Sequence, residues 1–277
     1  MMDQLALGLD LLQVMVLVFS VVMIVRWLRI FGNSVVLGFL LYAYVCILIS
    51  DIYWSAMVIL KPELRIPFAA SEIADMGASL FLAAMLGEVF QNYRVKIGWE
   101  TVLTALHGLI SIFFWTVWAG EWFKNIIGGI PFVYYLFVVV WSAKKIQAFS
   151  NFEKIAITAG IYLLNILQGI GLLVESVTEI MNYICYAIIG TGSILLCIKT
   201  YRAIRKAYRE HAPELGRKAL AIAMVTLVWV QNGMYMSEDP YYSIEDIGFT
   251  VSVLFILYSV LAIHKNSLDA ETEWGMT

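Results

Sequence analysis

Residues 35–60 read VVLGFLLYAYVCILISDIYWSAMVIL, an apolar run that carries one charged side chain, Asp51. A helix crossing the hydrocarbon core of a bilayer needs about 20 predominantly apolar residues. This run is longer than that, holds no proline, and shows no alternation of apolar and polar positions that would suggest a strand. The chain then turns through KPELRIP at 61–67 and returns over 68–91 as FAASEIADMGASLFLAAMLGEVFQ, with Glu72 and Asp75 near its start. The unit is a hairpin of two membrane-length segments, with Asp51, Glu72 and Asp75 placed toward the end where the chain turns.

Runs of the same kind recur on either side. Segments at about 5–31, 35–60, 67–91, 99–119, 123–143, 154–175, 178–203, 217–237 and 245–264 are long and apolar enough to span. Composition agrees: 61% of residues are apolar and 14% charged, with a mean hydropathy of +0.82, whereas soluble domains carry about 25% charged residues. Lipid offers backbone groups no hydrogen-bond partners, so only helices or closed barrels cross it. Continuous apolar runs select helices. The expected fold is therefore all-α, a polytopic transmembrane helical bundle of about nine spans. It is read as a single integral membrane domain over 1–277, because the connections leave no room for a soluble catalytic or kinase domain. The first span is expected to stay in place, since its leading MMDQ is acidic and no small-residue cleavage site follows. Cys46, Cys185 and Cys197 fall inside spans and read as small core residues.

Lys and Arg near span ends set membrane orientation. One set of alternating ends holds 15 of them, including Arg26, Arg29, Lys144, Lys145, Lys199, Arg202, Arg205, Lys206 and Lys265; the other holds only Lys61, Arg65 and Lys124. The expectation is a plasma-membrane protein with its N-terminus outside and its C-terminus cytoplasmic. The outer side gathers 13 acids against 3 bases, a formal charge of −10, while 8 acids against 15 bases leave +7 inside. Such an outer field would concentrate cations, although most of these acids lie in loops, where they are simply solvated, and that reading is preferred.

Asp51 lies about 15 Å along its helix from the outer loop, at 1.5 Å per residue. A charge near the bilayer centre costs about 2.5–3.5 kcal/mol on the insertion scale, so Asp51 should face the bundle or a wet cavity. On the returning helix Asp75, Ser79, Ala83 and Gly87 recur every four residues, a small-residue stripe suited to close helix contact. Glu72 precedes Asp75 by one turn. Asp51, Glu72 and Asp75 are thus a candidate cation site, or a set that shares a proton because like charges oppose ionisation. Trp54 and Trp115 offer aromatic faces to an organic cation, but also fit an interfacial aromatic belt.

The remaining spans carry weaker signals. His107 shares a helix face with Ser111, Trp115 and Trp118; it is either a proton relay or a neutral imidazole bonded to a neighbouring helix. With three histidines in the chain, haem or di-metal chemistry is not expected, and no cofactor is. Gly128, Gly129 and Pro131 either break the outer end of the fifth span around a cavity or mark a loop before a helix starting at Pro131. Asn165 and Gln168 share a face of the sixth span. Glu179, Asn182, Tyr186, Gly190 and Ser193 trace a polar and small stripe on the seventh. Gln231 and Asn232 lie in the outer half of the eighth. Glu245 and Asp246 read as helix-start charges of the ninth, with Ser243 and Asp246 at capping-box spacing.

Pairing Asp51, Gln168 and Asn232 on rising helices with Asp75, Asn182 and Asp246 on returning ones suggests one helix followed by four related hairpins. The functional expectation is a transporter or permease for a small cationic solute, its cavity lined by Asp51, Glu72, Asp75, Gln168, Asn182, Asn232, Trp54 and Trp115. From another class, a receptor or accessory subunit would sense an outer ligand and signal through a cytoplasmic partner, or anionic lipid, at the basic residues 199–218. An enzyme is not expected: HExxH, GxSxG and Walker patterns are all missing from the sequence. Nucleic acid is not an expected partner; the lipid bilayer is.

Overall fold

Every element seen in the computed structural model, which describes residues 2–32, 34–60, 70–91, 98–119, 122–174, 178–236 and 241–274, is an α-helix. In chain order they are α1 (Met2–Phe31), α2 (Val35–Leu60), α3 (Ala70–Val89), α4 (Trp99–Ala119), α5 (Trp122–Lys145), α6 (Asn151–Leu173), α7 (Thr178–Glu210), α8 (Pro213–Met236) and α9 (Tyr241–Trp274). Each overlaps one expected span. The acids and bases at Lys61, Glu63, Arg65, Arg94, Lys96, Glu121, Glu175, Glu238 and Asp239 lie outside the described residues.

Local chemistry explains where helices stop. Gly32, Gln147 and His211 take left-handed backbone angles, with φ of 70°, 49° and 50°, each just beyond a helix end, where such a residue turns the chain away. After α5 the Ala148 amide reaches back to the Ala143 carbonyl at 2.9 Å. Ser150 then starts α6 through a capping box: its hydroxyl accepts from the Glu153 amide at 3.3 Å, and the Glu153 carboxylate accepts from the Ser150 amide at 2.7 Å.

Helix α5 runs unbroken through Pro131, so neither a broken outer end nor a start at Pro131 describes it. Gly128 and Gly129 are helical, and Gly129 is where α4 comes close: a Cβ there would stand 2.4 Å from Ile112 Cδ1. Ser243 lies within α9, which begins at Tyr241, so it is not the residue that caps that helix.

Two compact units divide the chain, Met1–Ser142 and Ala143–Thr277. In the first, α2 packs against both α1 and α3 around Leu17, Ile24, Leu37, Leu40, Tyr44, Leu82 and Met85, all buried. In the second, α8 packs against both α7 and α9. From Ala219 to Met224 every residue of α8 is buried, as expected of a helix that is apolar all round.

Among the described residues eight helices are long and apolar enough to cross a membrane, all but α8. The chain is a multi-pass membrane helical bundle. From Ala219 to Met236 helix α8 carries no charged residue, with Arg217 and Lys218 before that stretch and Gln231 and Asn232 within it. Its neighbours in the bundle bear on whether it crosses as well.

Candidate functional site

In the first unit the acid at residue 51 is held by the helix before it. Gln13 of α1, itself buried, donates from Nε2 to Asp51 Oδ2 at 2.7 Å. One position earlier, Ser50 hydrogen-bonds Asp75 of α3. Consecutive helix residues point about 100° apart, so α2 uses Ser50 and Asp51 to address its two neighbours. That is why the two aspartates are held from different sides of α2. Close approach of α3 to α2 is made at Gly77, where a Cβ would come within 3.2 Å of Cys46 Sγ.

The small-residue stripe expected on α3 does not form the packed face. Asp75 and Gly87 are exposed and Ser79 is half-buried; only Ala83 of the four is buried, and the buried set is Ser71, Ala78, Leu82, Ala83, Met85 and Leu86. The reason is geometric. Each step of four residues turns about 40° past a full circle, so a strict i+4 series spirals off the face it started on. Asp75 therefore meets Ser50 while leaving part of its surface open. Glu72 is also exposed, accepts from the Ser71 hydroxyl at 3.0 Å, and lies close enough to act electrostatically on Asp75.

Among the described residues no three His, Cys, Asp or Glu side chains stand together as a metal-binding group. Asp51, Glu72 and Asp75 are thus not assembled into one, since Asp51 is engaged by α1 and the other two belong to the α3 side. Trp54 is 42% exposed on α2. Trp115 packs on Phe132 of α5, with ring centroids 5.0 Å apart. His107 is 5% exposed in α4, and its carbonyl accepts from the Ser111 hydroxyl at 3.0 Å. Beside it Gly108 lies against Val133 of α5, where a Cβ would come within 2.5 Å of Cγ2.

In the second unit Gln168 of α6 and Asn182 of α7 are half-buried, while Asn232 of α8 is buried and donates to the Val228 carbonyl of its own helix at 2.9 Å. Among the described residues these three share no hydrogen bond with one another.

In the same unit Glu245 is a buried acid that meets two other helices. It is 4% exposed, and Asp246 beside it 5%, so neither is a solvated helix-start charge: α9 begins four residues before Glu245, which carries it past the helix end and down between its neighbours. Ser193 of α7 donates to Glu245 Oε2 at 2.9 Å. Helix α8 closes the site with Gly233, where a Cβ would meet Glu245 Cδ at 3.3 Å and Ile189 Cγ2 at 2.5 Å. Just beyond, Trp229 of α8 donates from Nε1 to the Ile189 carbonyl at 3.1 Å, its indole seated against Gly192 of α7 and Gly160 of α6. The stripe read on α7 ends on Ser193, which was the available signal; what it lacked was the partner on α9. Comparison with protein families, characterised proteins and solved structures finds no match.

Proposed function

We propose that the protein is a transporter or permease for a small cationic solute, resident in the plasma membrane with its N-terminus outside and its C-terminus in the cytoplasm. The observation that carries this reading is the 2.7 Å hydrogen bond from Gln13 to Asp51. A carboxylate within an apolar span is costly unless it meets partners, and the Gln13 amide orients this one without itself bringing a charge. An acid fixed in direction at membrane depth is the kind of group that a cation binds. Asp75, bonded by Ser50 yet open on its other side, and exposed Glu72 offer a second stop for the same ion in the same unit. In this reading the protein is a carrier and no bond of the solute is broken.

Uptake into proteoliposomes tests it, with a panel of small organic and inorganic monovalent cations as probes. Asp51→Asn, which keeps the shape of the side chain and the contact with Gln13, should abolish uptake. Gln13→Ala should weaken it by about tenfold, the equivalent of one hydrogen bond to a charged group at about 1.5 kcal/mol. Uptake that is indifferent to Asp51→Asn would sink the proposed role of Asp51.

One observation favours the receptor or accessory-subunit reading. Helix α7 is 33 residues long, well beyond the about 20 needed to span, and the end beyond the span presents Tyr201, Arg202, Arg205 and Lys206 as exposed side chains. Charge reversal at Arg202, Arg205 and Lys206 that abolishes function while leaving solute uptake intact would select it.

A further inference from the structure

We propose that Glu245 is a proton-binding site of the second unit, and that its proton holds α7, α8 and α9 in their packed arrangement. The geometry carries the inference. The carboxyl group is almost wholly buried and, among the described residues, accepts one hydrogen bond, from a neutral hydroxyl. Among the described residues it meets no Lys, Arg or His. The basic side chain that follows on α7 is Lys199, six residues after Ser193 and so about 9 Å along the axis; it is already paired with Glu153 and lies over the Phe149 ring at 5.0 Å.

Among the described residues no other charge does the work of a cation here. On α7, among the described residues, the ionisable group within electrostatic reach of Glu245 is the Cys197 thiol, which carries no positive charge. From Ala219 to Met234 α8 carries no charged residue, and on α9 the neighbour is Asp246, another acid. Water has little room either, because Gly233 brings the α8 backbone against the carboxyl carbon, near enough that a Cβ would stand 3.3 Å from it. A buried carboxylate left without cation or solvent is strongly disfavoured. A proton removes that cost: it is drawn from solvent, forms an O–H bond on the carboxylate, and nothing is oxidised or reduced. Loss of the proton restores a charge that the closed junction cannot accommodate. The junction must then admit water, and the place where it opens is the Ser193–Glu245–Gly233 contact.

The proposal does not depend on whether the protein moves a solute, and its readout is the carboxyl group itself. Infrared difference spectra of the full-length protein in lipid vesicles, recorded between acid and alkaline pH, should show a protonated-carboxyl C=O band that disappears as pH rises. In Glu245→Gln that band should be lost. In Ser193→Ala it should move to higher frequency, because a hydrogen bond to the carbonyl oxygen is gone. A band of unchanged intensity in Glu245→Gln, or a spectrum with no pH-dependent carboxyl band, overturns the proposal. Should Glu245→Gln fail to insert, Ser193→Ala decides alone: a band that stays where it was overturns the proposal just as firmly.

Discussion

Two glycines two residues apart on α7 show how much a single position can hide. Gly190 belongs to the polar and small stripe legible in the sequence, yet nothing lies within 4 Å of where its Cβ would be. Gly192, which the stripe passes over, is the contact: a Cβ there would fall 2.3 Å from Trp229 Cζ2 and 2.6 Å from Nε1. Side-chain spacing reports which residues share a face, but not which face a neighbour with a large ring will choose. Gly192→Ala should therefore destabilise the protein by about 1–3 kcal/mol through overpacking, and disturb the Trp229–Ile189 hydrogen bond. Gly190→Ala should be neutral or stabilising by about 0.5–1 kcal/mol, since alanine favours a helix over glycine. Thermal unfolding in detergent with Trp fluorescence as the signal checks both; equal shifts for the two variants would contradict the packing described. Glu245 was obscured for a related reason. Its burial depends on where α9 starts, and helix starts are the part of a sequence pattern least constrained by apolar periodicity.

Element boundaries were legible wherever chemistry marks them, and misplaced where hydropathy was followed instead. Span 6 reads from hydropathy as beginning at 154, while the structure begins α6 at Asn151 under the Ser150–Glu153 capping box. The Ser-x-x-Glu spacing was present in the sequence throughout; the polar Asn151 and Glu153 concealed it from a hydropathy reading. Ser150→Ala should cost about 1 kcal/mol and loosen the first turn of α6. That turn also positions Glu153 against Lys199 of α7, so the variant should raise hydrogen exchange at 151–155 and weaken the pair. Unchanged exchange there would show that the cap does not hold the turn. For α5 the opposite error arose: Gly128, Gly129 and Pro131 look like breakers, but helix packing overrides local propensity. Gly129 is required by the neighbouring Ile112 side chain, and a proline is tolerated where surrounding helices resupply the lost backbone partner.

At the scale of the molecule the question left by hydropathy is whether α8 crosses, because that decides on which side α9 ends. Contacts within the second unit answer it better than composition does. Gly216 of α8 lies against Ile263 of α9, and seventeen residues later Gly233 lies against Glu245. Over the same interval α8 and α9 therefore run antiparallel along about 26 Å, at 1.5 Å per residue, so α8 traverses whatever α9 traverses. Its polar ends are affordable because α7 and α9 enclose its middle. Helix α7 confirms the register: Tyr208 donates to the Tyr258 carbonyl at 3.1 Å, and Asn266 to the Ala207 carbonyl at 3.2 Å, which puts the late residues of α7 and α9 at one end. Lys206 and Lys265 must then share a side of the membrane, and in the proposed orientation, argued from the 15 to 3 partition of basic residues, that side is the cytoplasm. Replacing Cys46, Cys185 and Cys197 by Ser and introducing Lys206→Cys, Lys265→Cys or Pro240→Cys one at a time makes the arrangement measurable with a membrane-impermeant maleimide. Position 240 should label in intact cells, and positions 206 and 265 only after permeabilisation. Labelling of 206 and 265 from opposite sides would mean that α8 does not cross, whereas exchange of all three sides together would keep the bundle and reverse its orientation.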